Sequence, residues 1–171
     1  NHATGFKVKI IAEEGANLSK LHSIHVCANK TQSLTPVTKG GHASTSCQLP
    51  VKGLSQMALN SSKAKRLCSP TSTTSVIRFL NHKPLDPLHF AKQCWDATYD
   101  IFGNWVFNVA AAFHQLGDSR YACWIDKLTS FDTVLTSLEA RFPVVISVKS
   151  PLPGSVIRNS GHLITIIGFD A

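Results

Sequence analysis

No two of the five cysteines (Cys27, Cys47, Cys68, Cys94, Cys123) are spaced Cys-x-x-Cys, which argues against a four-cysteine zinc site. Their odd number leaves open two disulfides plus one free thiol, or five reduced thiols, so the compartment stays open with it. No apolar run approaches the roughly 20 residues of a membrane-spanning helix; the longest, around 105–113 and 162–169, are core-sized. There is no internal repeat, and no initiator Met or signal-peptide pattern, so Asn1 reads as a cut or processing boundary. The end, "HLITIIGFDA", stops just after an apolar strand and reads as a second cut in a longer protein. Acidic residues are few: ten Asp and Glu face seventeen Lys and Arg, a net charge of +7. That balance raises anionic partners. The basic residues are scattered, however, only "KAKR" (63–66) clusters, and no aromatic platform interleaves with it. A basic surface without a nucleic-acid site is expected.

With 171 residues and 43% apolar content, the chain can fold as one domain with a real core, or as a domain plus a small appendage. "FKVKII" (6–11) alternates apolar and basic residues and predicts a strand, and "LHSIHVCA" (21–28) predicts a second. Residues 29–62, rich in Thr, Ser, Lys and Gly, read as loop or linker. This places a boundary near 45–50: residues 1–47 form an N-terminal β-piece and linker, the end of an upstream β domain, and 48–171 form the main domain. A helix is expected from Cys68 to Asn81, a second from Pro87 to about Tyr99 with Pro in its first turn, and a third from near Asn104 to Gly117. "RYACWI" (120–125) predicts a short strand. "TSFDTVLTSLEARF" predicts a helix started by Thr129 and Asp132 and ended by Pro143. "VVISVK" (144–149) and "HLITIIGF" (162–169) predict fully apolar strands. Helices first and strands last make the fold class α+β.

The stretch "RLCSPTSTTSVIRFL" (66–80) puts Cys68 at a helix start. Backbone N–H groups left unpaired there, and the positive end of the helix dipole, favour an anion. The same groups can hold the oxyanion of a tetrahedral intermediate. Ser69 and Ser72, with Pro70 between them, read as small residues that leave room for a substrate. The other four cysteines read as ordinary buried thiols. A thiol nucleophile needs a base, usually histidine. His2 and His42 fall in expected loops, His82 and His89 beside the Pro-rich turn, and His114 near a helix end. His162 stands apart, because it follows Gly161 and opens a wholly apolar strand. His22, His25 and Cys27 are the only metal-like cluster, but on a strand His22 would point away from the other two, so no metal site is expected.

With Cys68, "GNWVFN" (103–108), "PVVISVK" (143–149) and "GHLITIIGFD" (161–170) in that order, the sequence resembles papain-like cysteine peptidases of the bacteriocin-processing, double-glycine type, and is closest to their stand-alone bacterial relatives. The resemblance covers about 50–171. It implies a papain-like fold, with N-terminal helices carrying the cysteine and an antiparallel sheet carrying the histidine. It also implies Cys68 as nucleophile, His162 as general base and acid, and Gln56 in "LSQMAL" as an oxyanion donor, with Gln48 the weaker rival. Val106 stands where many relatives have proline. In these enzymes an Asp or Asn orients the histidine, normally from the strand after it, here beyond Ala171. Asp170 is too far along: eight residues of strand at about 3.3 Å each is roughly 26 Å. Asp96 and Asp100 are not selected by their spacing.

The function so implied is hydrolysis of peptide bonds through a thioester acyl-enzyme. It needs no cofactor and acts on a peptide or protein substrate, in a setting that leans extracytoplasmic. The alternatives are a catalytically inactive peptide- or envelope-binding module on the same fold, or an acyltransferase using the same Cys/His pair. Oligomeric state and cleavage specificity are not readable.

Overall fold

In the hydroxyl-rich run after Cys68, two of the four buried hydroxyls turn back onto the helix's own carbonyls, while those of Ser69 and Thr71 have no partner. Thr74 Oγ1 donates to Pro70 O (2.8 Å) and Ser75 Oγ to Thr71 O (3.3 Å), which satisfies groups that would otherwise be costly to bury. This helix, α1, spans Cys68–Asn81 and ends as expected, with His82 in the left-handed region (φ 54°) returning its N–H to Arg78 O. The computed structural model describes residues 5, 7–21, 24–27, 45–117, 120–149 and 161–171.

Helix α2 (Pro87–Gln93) is capped by Asp86, which accepts from His89 N, and has Pro87 in its first turn. It stops well before Tyr99. Asp96 folds the following segment instead: Oδ1 accepts from Thr98 N (3.0 Å) and Tyr99 N (3.4 Å), Oδ2 accepts from Asn104 Nδ2 (2.7 Å), and the backbone bridges Asp96 to Ile101. A short acidic side chain bonding the backbone ahead of it competes with the helix and ends it. Helix α3 (Trp105–Leu116) runs from the Asn104 cap to Gly117, which takes the left-handed conformation (φ 59°). Helix α4 is Asp132–Glu139, with Ser130 Oγ accepting from Asp132 N (3.1 Å).

Strands β2 (Val144–Lys149) and β3 (Gly161–Ile166) pair antiparallel, with Val148 opposite His162 and Val144 opposite Ile166. The expected single strand over 162–169 is split at Ile167. Strand β4 (Gly168–Phe169) pairs instead with β1 (Cys47–Gln48). The crossing is close: a Cβ on Gly168 would run into the Cys47 carbonyl, so only glycine fits.

Three expected strands are absent from the described residues. Residues 7–11 and 24–27 carry no strand, and Val8, Ile10, Ile11, Ile24 and Val26 are each at least half exposed. Alternation can mark one face for burial, but without a partner strand or a core behind it no ladder forms. Residues 120–125 likewise form no strand. Tyr121 and Cys123 still pack inward, and Tyr121 Oη donates to Leu80 O (3.0 Å). His25 stacks on Trp124 with ring centroids 5.2 Å apart.

The core lies in three clusters around α1. Ile77, Leu85, Phe90, Cys94, Ala112 and Leu116 fill the space among the first three helices. Leu49, Val134 and Leu138 join α4 to the strands. Leu67, Ala91 and Phe102 pin the residue just before Cys68. Helix α1 packs on α2, α3, β2 and β3 and is the hub of the fold. The architecture among the described residues is α+β, with four α-helices and small antiparallel sheets, compatible with a papain-like fold. Among the described residues no helix is long and apolar enough to cross a membrane.

Candidate active site

Cys68 is the first residue of α1, and its approach is rigid because Leu67, 2% exposed, is locked between Ala91 and Phe102. The first helical hydrogen bond runs from Thr71 N to Leu67 O (3.0 Å). Pro70 has no N–H to offer. The N–H groups of Cys68 and Ser69 therefore remain without an acceptor among the described residues, pointing out of the helix end beside the thiol. Ser69 is buried and its hydroxyl unpartnered, and Ser72 is bonded to a strand. Ser69 is thus packed into the fold, and Ser72, half-buried, is engaged with β3.

Gln56, which alone would pass for a surface amide, is buried (9% exposed) in a 3-10 turn, Gln56–Ala58. Its Nε2 donates one hydrogen to Ala64 O (2.9 Å), in the 3-10 turn Ala64–Arg66 that leads into Cys68. The second Nε2 hydrogen is not used by that bond. The rival, Gln48, lies in β1 and is exposed.

His162 is the second residue of β3 and pairs with Val148. Its Nδ1 is buried and has no hydrogen-bond partner, an uncommon and costly condition for a ring nitrogen. The relation of His162 to Cys68 follows from two bonds through Ser72: Ser72 Oγ donates to Leu163 O (3.1 Å), and Thr165 Oγ1 donates to Ser72 O (3.2 Å). In a helix the side chain leans toward the N-terminus and the carbonyl points toward the C-terminus. The lower-numbered residue of β3 thus meets the N-terminal side of Ser72, and the higher-numbered residue its C-terminal side. The two elements run in the same sense here, and Cys68 and His162 stand at the same end. No hydrogen bond joins them in this structure.

The acidic candidates are elsewhere. Asp96 is spent on the turn it builds, and Asp100 binds Arg66 (3.0 Å), Lys63 (3.7 Å) and Trp95 Nε1 (3.0 Å). The indole and guanidinium hydrogen bonds hold the Asp100 carboxyl below the usual carboxylate range. Asp170 is exposed and follows β4, where the chain joins a second sheet rather than turning back toward His162. Among the described residues none bonds His162 Nδ1.

The remaining histidines have other places. His82 caps α1, His89 bonds Gln93 within α2, and His114 lies beside Trp95 and Phe107 in an open groove between α2 and α3; His2, His22 and His42 lie outside the described residues. Among the described residues no group of His, Cys, Asp and Glu could hold a metal ion. All five cysteines are unpaired. Burial pushes the Cys94 thiol up to about 12 and raises Cys123 as well, so both hold their protons. Val106, in the place expected for proline, gives its N–H to the Asn104 cap (3.2 Å), a bond proline would forfeit.

Neither the curated proteins nor the solved structures hold a match to this chain. A family comparison does: residues 48–171, from the second residue of β1 past the end of β4, match the Peptidase_C39 like family. A helix that opens on a thiol, a small antiparallel sheet and a match over more than two thirds of the sequence agree with one another, and the chain belongs to this C39-type cysteine peptidase-like family.

Proposed function

We propose that the chain is a cysteine peptidase in which Cys68 and His162 form the reacting pair. The observation that carries this reading is the buried, unpartnered Nδ1 of His162, on the strand that runs alongside the Cys68 helix in the same sense. Family membership supports a peptide or protein as substrate. The Cys-Ser-Pro-Thr-Ser run and the Gly-His-Leu strand start support placing the chain with the bacteriocin-processing, stand-alone bacterial type. Residues 48–171 are read as the peptidase domain, and 1–47 as a separate N-terminal segment.

In this reading His162 takes the thiol proton as Cys68 Sγ attacks the peptide carbonyl carbon. The carbonyl oxygen becomes an oxyanion that accepts from the N–H groups of Cys68 and Ser69 and from the second Nε2 hydrogen of Gln56. Collapse breaks the C–N bond, and His162 gives its proton to the leaving amine, so that a thioester remains on Cys68. His162 then removes a proton from water as its oxygen attacks the thioester carbon; collapse breaks the C–S bond, His162 returns the proton to the departing thiolate, and the product acid leaves and ionises in solvent.

The test is cleavage of a pooled synthetic peptide library, read by mass spectrometry, with the full chain and its Cys68→Ala and His162→Ala variants. Both variants are expected to lose cleavage by at least ~10³-fold, as removal of a covalent nucleophile or its base does. Cleavage retained by Cys68→Ala would overturn the proposal. Running the library with and without an added amine separates hydrolysis from acyl transfer.

A further inference from the structure

Helix α1 is held to the sheet by contacts of two kinds. Phe79 packs with Val144 and Ile166 against the Leu49, Val134 and Leu138 cluster near the C-terminal end of the helix. Apolar contact of this kind is non-directional and leaves sliding along the strand weakly opposed. Directional contact comes from Ser72, whose hydroxyl donates to Leu163 O and whose carbonyl accepts from Thr165 Oγ1, both bonds part-buried. Ser72 lies one turn after Cys68 on the same helix face, about 6 Å along the axis. Leu163 is the neighbour of His162.

From this we infer that Ser72 and Thr165 are positioning residues, whose paired hydrogen bonds fix the register of the thiol-bearing helix against the histidine-bearing strand. The inference rests on the Cys68 and His162 reading above. A slip of β3 by one residue would move His162 by about 3.3 Å and turn its ring to the other face. Proton transfer between thiol and imidazole tolerates only about 0.5 Å of misplacement, and an error of about 1 Å can cost ~10²-fold in rate. Two hydroxyls bonded through one residue oppose that slip from both sides, since movement in either direction lengthens one bond or the other.

The experiment uses the full chain with Ser72→Ala, Thr165→Val and Thr165→Ser, alongside Cys68→Ala and His162→Ala. Two readouts are taken: kcat and KM on the best-cleaved library peptide, and the rate at which iodoacetamide alkylates Cys68, located by peptide mapping. Thr165→Val keeps the shape of threonine and removes only the donor, so it is expected to fold. It and Ser72→Ala should lower kcat about tenfold to a hundredfold with KM within about twofold, and slow Cys68 alkylation, whereas Thr165→Ser should stay within about twofold of the parent in both. A purely structural hydroxyl would lower thermal stability and leave these rates unchanged in the folded fraction. Parent-like kcat and alkylation in Thr165→Val and Ser72→Ala, with Cys68→Ala and His162→Ala inactive, would overturn the positioning role alone. Activity retained by Cys68→Ala would overturn the reading beneath it. Should any variant unfold, the alkylation rates of those that stay folded decide the same question.

Discussion

At the scale of single residues, the five thiols separate by surroundings. Cys94 is fully buried, and desolvation moves its thiol from an ordinary 9.0 to about 12. Because the folded value is raised, this group's contribution to stability is whole below pH 9 and is lost as pH climbs from 9 toward 12, where only the unfolded chain ionises it. Alkaline unfolding that begins near pH 9 and is blunted in Cys94→Ala is expected, read by circular dichroism against pH. In the folded chain Cys94 should also resist iodoacetamide that labels Cys68, and should react only after denaturation. The start of α1 at Cys68 was legible in the sequence, because a run of Ser-Pro-Thr-Ser ahead of apolar residues is a local signal. The burial of Gln56 and the bonds of Ser72 were not, since they depend on Ala64 and Leu163, partners that no periodicity identifies.

At the scale of elements, caps decide what the sequence discloses. Helices α1 and α3 were readable nearly to the residue, because Asn104, Gly117 and the Asn81–Pro84 stretch are strong boundary signals. Helix α2 was overrun because Asp96 diverts the backbone through three side-chain hydrogen bonds, a competition that apolar spacing does not reveal. Asp96→Ala should cost about 2–3 kcal/mol, measured by urea denaturation, since it removes hydrogen bonds to a buried charged group. Strand β4 raises the same point in reverse. An apolar run of eight reads as one strand, yet it splits so that Gly168 can cross Cys47, and Gly168→Ala should destabilise the chain by about 1–3 kcal/mol through forced displacement of β1.

At the scale of the whole molecule, the α+β order was visible from helices preceding apolar strands, whereas the expected N-terminal strands do not form among the described residues. No strand forms over residues 7–11 or 24–27, and the apolar side chains Val8, Ile10, Ile11, Ile24 and Val26 stay at least half exposed. What the molecule does assemble is a hub helix whose first residue is a thiol, a buried amide bonded to the turn that leads into it, and alongside it a strand carrying an imidazole whose Nδ1 has no partner. Membership of the C39-type family gives that arrangement its class. A thioester on Cys68 can be trapped by acid-quenching the full chain during turnover of a library peptide and mapping the adduct by mass spectrometry. A hydroxylamine-labile acyl group is expected on Cys68, carrying the N-terminal part of the cleaved peptide, and absent from Cys68→Ala. Peptide cleavage that proceeds undiminished in Cys68→Ala, with no acyl group on any cysteine of the parent chain, would contradict it.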